Sequence, residues 1–126
     1  MSDEEFRAKL NEVRPDVNID KGLTVCGDMM EFYQEILQVL IDSAAEQMSN
    51  LKAYLEAKDY QNYIVLAHGM KGQCYNVGAD ELGDYAKTFE FAGKESRYDY
   101  LEENTDDFLG KYDKFINDIR GVLALL

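Results

Sequence analysis

The chain has a single histidine, His68, with a lysine three residues later and a glycine four residues later. Near pH 7 an imidazole is mostly neutral, so one ring nitrogen keeps a lone pair that can attack phosphorus. Residues three apart on a helix share a face, so Lys71 can place its ammonium beside a phosphoryl group on that ring. The lysine would offset part of a charge of about −2. These residue types and spacings predict a histidine that can carry a phosphoryl group.

Two glycines, Gly69 and Gly72, lie within about one turn of His68. Glycine inside a helix costs roughly 1 kcal/mol relative to alanine, so two glycines beside the only histidine need a reason. A position one turn away that has no side chain leaves the ring uncovered, and another protein can approach it closely. We therefore expect Gly69 and Gly72 to give access to the ring.

The direction of His68 follows from the apolar pattern of its helix, at about 100° per residue. The apolar residues cluster on the side away from His68: Tyr63, Leu66, Ala67, Met70, Cys74 and Val77. A lone histidine is often an inert surface residue or a core residue with satisfied hydrogen bonds, and the angle disfavours the core. An inert position does not explain the apolar Ile64 and Val65 beside the ring. We expect His68 to face solvent, with both of these residues exposed.

The chain lacks the motifs of several other kinds of site. It has no glycine-rich phosphate loop and no acidic triad with metal-loop spacing, so it contains no motif for taking a phosphoryl group from ATP. Its two cysteines, Cys26 and Cys74, form no CxxC pair, which argues against a zinc site. We expect no metal site, and we expect Cys74 to be a small apolar core residue.

The composition is strongly acidic, with 13 basic and 25 acidic side chains and a formal net charge of −12. Such a body repels nucleic acid and anionic membranes, so a protein partner is favoured. No apolar run approaches the ~20 residues that a membrane span needs. The first residues have neither the basic nor the apolar region of an export signal. We expect a cytoplasmic protein that binds neither nucleic acid nor membrane.

The chain is rich in helix-forming residues and has one proline, which predicts an all-α protein with one domain over residues 1–126. Helices are predicted at about 3–12, 28–56, 59–77, 80–92 and from 96 onwards, with one helical turn around 21–25. The expected N-terminal caps are Asp28 (with Glu31), Asp59 and Ser96, and the expected C-terminal signal is Gly78. Short links predict an antiparallel up-and-down four-helix bundle with an additional short N-terminal helix.

The helix predicted at 28–56 has an unusually wide apolar face. One line consists of Tyr33, Leu37, Leu40, Ala44, Met48, Leu51 and Leu55, and a second of Met29, Phe32, Ile36 and Val39. Either this is a central helix that contacts two neighbours, or Phe32 and Val39 belong to a partner surface. The final helix has a single apolar line, which is expected to run from Leu101 to Leu126.

Residues 68–79 read His-Gly-Met-Lys-Gly-Gln-Cys-Tyr-Asn-Val-Gly-Ala. This run resembles the signature of histidine-containing phosphotransfer (HPt) domains: His, any residue, Leu or Met, Lys, Gly, two small residues, any residue, Asn, an aliphatic residue, Gly and Ala. The similarity extends over about residues 19–93. The departure is Gln73, where the family usually has a small residue. We expect Gln73 to lie at the margin of the core, where it does not disturb the histidine.

The resemblance implies that His68 accepts and donates the phosphoryl group, that Lys71 is its charge partner and that Gly72 opens the ring. It also implies that Asn76 and Gly78 shape the hairpin between two helices. Such domains are passive carriers rather than enzymes: the receiver domain of a hybrid kinase gives the group from its aspartyl phosphate, and the receiver domain of a response regulator takes it. The implied partners are a response regulator receiver domain and a sensor or hybrid histidine kinase. Magnesium and the catalytic carboxylates belong to the receiver, so no cofactor is expected in this chain.

On this interpretation a receiver docks on an apolar patch next to the histidine. The residues expected to form this patch are Ile64, Val65, Tyr75 and Phe32. A different hypothesis is an acidic helical adaptor that binds receiver or kinase domains without being phosphorylated, and simple docking needs neither Lys71 nor Gly72. An enzyme that uses His68 as a general base is disfavoured, because no acid, nucleophile or cofactor motif accompanies the histidine.

Overall fold

Six α-helices and no strand make up the computed structural model of the chain, which describes residues 1–126. The helices are α1 (Asp3–Val13), α2 (Ile19–Val25), α3 (Met30–Glu56), α4 (Tyr60–Asn76), α5 (Asp80–Lys94) and α6 (Tyr98–Leu123). The all-helical class predicted from the sequence is confirmed. The segment expected to hold one helical turn forms a longer helix, α2, because Asn18 caps its start by accepting a hydrogen bond from the amide of Lys21.

The four long helices pack in a ring. Helix α3 contacts α4 and α6, and α5 contacts the same two helices. Links of three residues join α3 to α4, α4 to α5 and α5 to α6, so helices adjacent in the chain run antiparallel. The two short helices pack on this ring, α1 on α6 and α2 on α3 and α4.

The three links between the long helices turn in the same way. The middle residue of each has a positive φ: Lys58, Gly78 and Ser96. In each link the second and third amides donate back to carbonyls in the last turns of the preceding helix, as in a Schellman motif. The links therefore end one helix and reverse the chain within three residues.

Two of the caps predicted from the sequence are wrong, because each of these residues has a positive φ and ends the preceding helix. Ser96 has a φ of 58° and ends α5, so its side chain does not cap α6. Asp28 has a φ of 62°, and its amide donates to the carbonyl of Leu23 at 2.7 Å, which closes the end of α2. Helix α3 then begins at Met30 without a side-chain cap. Asp59 does cap α4, and accepts a hydrogen bond from the amide of Asn62 at 3.3 Å.

The core is one cluster of 28 buried apolar residues. The first apolar line of α3 enters it at Tyr33, Leu37, Leu40, Ala44 and Leu51, with Met48 and Leu55 partly buried against it. Phe32 and Val39 of the second line are exposed. Helix α3 therefore contacts two neighbours and still presents apolar side chains to solvent. The apolar line of α6 leaves the core after Val122. Leu126 is exposed, contrary to expectation, because it lies beyond the end of the helix.

Helices α4 and α5 approach each other closely because glycines on α5 lie under side chains of α4. A Cβ added at Gly83 would lie 2.6 Å from the Cε1 of Tyr75, and one at Gly93 would lie 2.5 Å from the Cγ1 of Ile64. Any larger residue at either position would push the helices apart. This contact brings Glu90, about one turn before the end of α5, next to His68.

Candidate functional site

His68 lies in the middle of α4, on the side away from the core. Its side chain is 66% exposed, whereas Ala67 and Met70 on the opposite face of the helix are buried. The position of the ring is therefore fixed by a helix whose other face is anchored in the core. The ring itself projects into solvent.

A buried carboxylate on α5 holds the exposed ring. The side chain of Glu90 is only 2% exposed, and its Oε2 lies 3.0 Å from the Nδ1 of His68. The same oxygen accepts a hydrogen bond from the Nζ of Lys94 at 2.7 Å, and the Nζ of Lys71 lies 2.7 Å from Oε1. Glu90 thus joins the histidine and two lysines in one network across the two helices.

The charge of Glu90 determines which nitrogen of the ring is free. Burial alone would raise the pKa of Glu90, but contacts with Lys71, Lys94 and His68 outweigh burial and lower the pKa to about 2. An ionised carboxylate can only accept hydrogen bonds, so the Nδ1–H of His68 must donate. In the neutral ring the lone pair then lies on Nε2. The network therefore selects the tautomer whose Nε2 is a nucleophile.

Lys71 contacts Glu90 at the carboxylate oxygen that His68 and Lys94 do not use. Its ammonium lies 2.7 Å from Oε1, a distance typical of a charge-assisted contact. The sequence predicted Lys71 as the partner of a phosphoryl group on His68. In the structure its ammonium lies on the carboxylate that also binds the ring, one turn of α4 from His68. A short movement of the side chain would bring it to an anion on the ring.

Gly69 and Gly72 leave open space beside the ring. A Cβ added at either position would meet no atom within 4 Å. Packing within the chain therefore does not require glycine at either position, in contrast to Gly83 and Gly93. The open surface is available to a molecule that approaches from outside.

The residues of the expected docking patch differ in exposure. Val65 is 65% exposed on α4, and Phe32 is 45% exposed on α3. Ile64 was expected to be exposed, but it is half-buried because its side chain packs over Gly93. The patch is therefore apolar at Val65 and Phe32, while Ile64 belongs mainly to the contact between α4 and α5.

Tyr75 also contributes to the contact between α4 and α5. Its ring lies over Gly83, and its hydroxyl donates a hydrogen bond to Asp84 at 2.5 Å. The Nζ of Lys21 lies 5.0 Å from the centre of the same ring, which connects α2 to this side of the molecule. Tyr75 lies two turns along α4 from His68, so it marks the far end of the expected patch.

A shallow apolar groove lies on the other side of α4, towards α3. It encloses about 220 Å³ and is lined by Val25, Ile36, Val39, Leu40, Gln73, Asn76 and Val77. Gln73 is half-buried at the margin of the core, as expected from its angle. The groove therefore adds a second apolar surface, between α3 and α4.

The two residues expected to shape the hairpin between α4 and α5 have unequal roles. Gly78 has a φ of 86°, and a Cβ there would overlap the carbonyl oxygen of Asn18. The carbonyl of Gly78 accepts a hydrogen bond from the amide of Asn18 at 2.8 Å, which attaches the start of α2 to the hairpin. Asn76 is the exposed last residue of α4, and its side chain makes no hydrogen bond.

Sequence reasoning did not identify Glu90 and Lys94 as site residues. Their signal lies in α5, where Glu90 occupies a buried stripe that otherwise consists of Gly83, Ala86 and Gly93. A single carboxylate on a stripe of small residues indicates a buried charge that needs partners. Only the register between α4 and α5 shows that one partner is His68.

No group of three or more His, Cys, Asp or Glu side chains is arranged to hold a metal ion. Cys74 is fully buried, and burial raises the pKa of its thiol to about 12. None of the helices combines the length and the apolar character needed to cross a membrane.

Comparison with known proteins gives one match. The family model of the Hpt domain matches residues 35–121, a range that includes most of α3 and all of α4 and α5. His68, Lys71, Glu90 and Lys94 lie within the matched range, and α1 and α2 precede it. No curated protein and no solved structure matches the chain.

Proposed function

Because the chain belongs to the Hpt domain family, we propose that it is a phosphorelay carrier that uses His68. Domains of this family carry phosphoryl groups on histidine in two-component signal transduction. The specific proposal is that His68 accepts the group from the aspartyl phosphate of a receiver domain and passes it to the receiver of a response regulator. A sensor or hybrid histidine kinase would supply the group, and we expect the relay to operate in the cytoplasm.

The observation that carries this proposal is the hydrogen bond from His68 to the buried Glu90. In the neutral ring this hydrogen bond places the proton on Nδ1 and the lone pair on the exposed Nε2. In the proposed step Nε2 forms a bond to phosphorus while the bond from phosphorus to the aspartyl oxygen breaks, and the carboxylate leaves with that electron pair. The ring gains positive charge, and its Nδ1–H remains hydrogen-bonded to the ionised Glu90, which offsets that charge.

Lys71 and Lys94 support the same step. A phosphoryl group brings a charge of about −2 to a protein that is already strongly acidic. Both ammonium groups lie on Glu90: Lys71 is about one turn of α4 from His68, and Lys94 is about one turn of α5 from Glu90. Either ammonium can therefore turn towards the phosphoryl oxygens. The chain supplies a nucleophile and counter-charges, and we infer that magnesium and the carboxylates that bind it come with the receiver.

The receiver is proposed to dock on the apolar surface beside the ring. Val65 is exposed on α4 one turn before His68, Phe32 is exposed on α3, and an added Cβ at Gly69 or Gly72 would meet no atom within 4 Å. Docking would position the aspartyl phosphate in line with Nε2 and exclude water from the reacting atoms. Ile64 and Tyr75 would form the edge of this contact, towards α5.

The experiment is to incubate the protein with a receiver domain that carries a labelled aspartyl phosphate. The label should move to this chain, survive alkali and be released by acid, as a phosphoramidate is. His68→Gln should abolish the label without changing the helical circular dichroism spectrum. Label that persists in His68→Gln would contradict the proposal.

A second candidate function, an adaptor that only binds receivers or kinases, is favoured by the exposed groove between α3 and α4. The groove can dock a partner whether or not His68 reacts. The same variant separates the two functions: an adaptor with His68→Gln would bind and signal normally. A carrier with this change would still bind a receiver but would no longer pass the group on.

A further inference from the structure

Helix α5 presents an exposed aromatic ring with three lysines around it. Phe91 is 41% exposed. The Nζ atoms of Lys87, Lys94 and Lys71 lie 5.3, 5.7 and 5.9 Å from the centre of its ring, within the range of cation–π contacts. Lys87 and Lys94 flank Phe91 on the same helix, and Lys71 reaches it from α4. We call these four residues the lysine–phenylalanine patch.

The patch is positively charged on an acidic protein. Lys71 and Lys94 share one carboxylate, that of Glu90, and Lys87 pairs with none, so the patch has an excess of two positive charges. Most other basic side chains pair with carboxylates of their own, among them Arg7, Lys21, Lys52 and Lys111. Because the whole chain has a net charge of −12, this is a local reversal of sign next to His68.

We propose that the lysine–phenylalanine patch binds the anionic rim of the phosphorylated receiver and steers it to His68. This inference rests on the proposed function. A donor that carries an aspartyl phosphate brings a charge of about −2 towards a protein of the same sign, so repulsion slows every approach except one over a positive surface. Exposed Phe91 adds an apolar contact, because phenylalanine is enriched in protein interfaces relative to the rest of the surface.

The patch and the apolar groove lie on different sides of the ring. Lys71 extends from α4 towards α5, whereas Gln73 and Asn76 line the groove towards α3. A receiver that contacts both surfaces would have His68 between them, and one charged and one apolar contact fix its orientation. Lys87 forms no ion pair with Glu90, so its contribution can be tested separately from the chemistry. Phe91 follows Glu90 in the chain and contacts Lys71 and Lys94, so the effect of its removal is compared with a reaction that needs no docking.

The test compares Lys87→Glu and Phe91→Ala with Lys58→Glu. Lys58 is an exposed lysine without an ion pair, in the link before α4, so its variant makes the same charge change at least about 12 Å along the helix from His68. The measured quantity is the rate of transfer from a labelled receiver to His68. Each rate is divided by the rate of labelling of the same variant with phosphoramidate, a small donor that needs no docking.

Lys87→Glu should lower this normalised rate roughly tenfold at low salt, and Lys58→Glu much less. The difference between the two variants should shrink as the salt is raised from about 0.05 to about 0.5 M. Phe91→Ala should lower the rate at all salt concentrations, because it removes an apolar contact.

Equal rates for Lys87→Glu and Lys58→Glu, with Phe91→Ala like the unchanged protein, would overturn the inference while leaving the carrier function intact. The inference would also be overturned, with the carrier function intact, if the patch bound vesicles of anionic lipid in a Lys87-dependent way without affecting transfer. If neither the receiver nor phosphoramidate labels His68 in the unchanged protein, the proposed function itself fails.

Discussion

The buried carboxylate of Glu90 accepts a hydrogen bond from the Nδ1–H of the exposed His68, at 3.0 Å. Glu90 is almost fully enclosed between α4 and α5, and His68 is two-thirds exposed. The close approach of the two helices over Gly83 and Gly93 holds the Glu90 side chain, so its position is set by packing and not by solvent. The nucleophile is therefore oriented from inside the protein and remains accessible from outside.

Removal of the Glu90 carboxylate should change the tautomer of His68. Glu90→Ala leaves Nδ1 without an acceptor, so the proton can occupy either nitrogen and Nε2 is free only part of the time. We expect transfer from a phosphorylated receiver to slow by roughly tenfold, because the reactive tautomer is only partly populated and the ring is no longer held in position. Nitrogen chemical shifts of the ring report the tautomer directly.

Glu90→Gln is the matched variant, because its side-chain oxygen can still accept from Nδ1–H. It should keep the tautomer and lose less activity than Glu90→Ala. If the nitrogen spectrum of the unchanged protein already shows the proton on Nε2, the orienting role assigned to Glu90 is wrong.

The lowered pKa of Glu90 makes the fold less stable in acid. A carboxylate whose pKa falls from 4.5 to about 2 on folding stabilises the protein above pH 4.5, and this contribution is lost as the pH falls towards 2. Without screening it corresponds to about 3 kcal/mol, and because Lys94 is exposed to solvent we expect roughly 1–2 kcal/mol.

Urea unfolding at a series of pH values measures this contribution as the difference in free energy of unfolding between the unchanged protein and Glu90→Gln. The difference should be largest at neutral pH and should vanish near pH 2, because a protonated glutamate resembles glutamine. A difference that is independent of pH would mean that the pKa of Glu90 is not lowered by folding.

The helices and the direction of His68 could be predicted from the sequence because both depend on apolar spacing within one helix. The helix ends were harder. Ser96 and Asp28 have the side chains of N-terminal caps, but each closes the preceding helix with a positive φ, and one residue cannot do both. A choice between the end of one helix and the start of the next depends on hydrogen bonds that spacing does not determine.

The site could be predicted only as far as one helix extends. His68, Lys71 and Gly72 follow one another on α4, but Glu90 and Lys94 come from α5. Their approach depends on the register of the two helices, which is set by how Ile64 and Tyr75 fit over glycines. The same fit explains why Ile64 is not as exposed as its angle suggested.

Gly72 should be more important for docking than for folding. Because a Cβ there would meet no atom within 4 Å, Gly72→Ala should raise the free energy of unfolding by about 1 kcal/mol, the ordinary gain for alanine in a helix. The same methyl group would lie beside the ring and hinder a receiver, so we expect transfer to slow several-fold. Unfolding by urea and transfer kinetics on the same sample measure the two effects.

Gly110→Ala is the control, because Gly110 lies inside α6 and also has no atom within 4 Å of an added Cβ. It should give a similar gain in stability with unchanged transfer. If Gly72→Ala also leaves transfer unchanged, the open space beside His68 is not used by a partner.

Charge placed on the apolar surface should weaken docking without unfolding the protein. Val65 is 65% exposed, so Val65→Asp removes little buried area, and its unfolding midpoint should remain close to that of the unchanged protein. Phe32 is 45% exposed, so Phe32→Asp should lower the midpoint somewhat but leave the helical spectrum unchanged. Transfer at limiting receiver concentration should fall roughly tenfold or more, since an unpaired carboxylate would have to be desolvated in the interface.

Leu125→Asp, a similar change at an exposed position beyond α6, is the control and should transfer normally. Ile64→Asp is unsuitable, because its side chain packs over Gly93 and a loss of transfer could then reflect separation of α4 from α5. Normal transfer in both Val65→Asp and Phe32→Asp would exclude this surface as the docking site and leave the α5 side of His68 as the remaining approach.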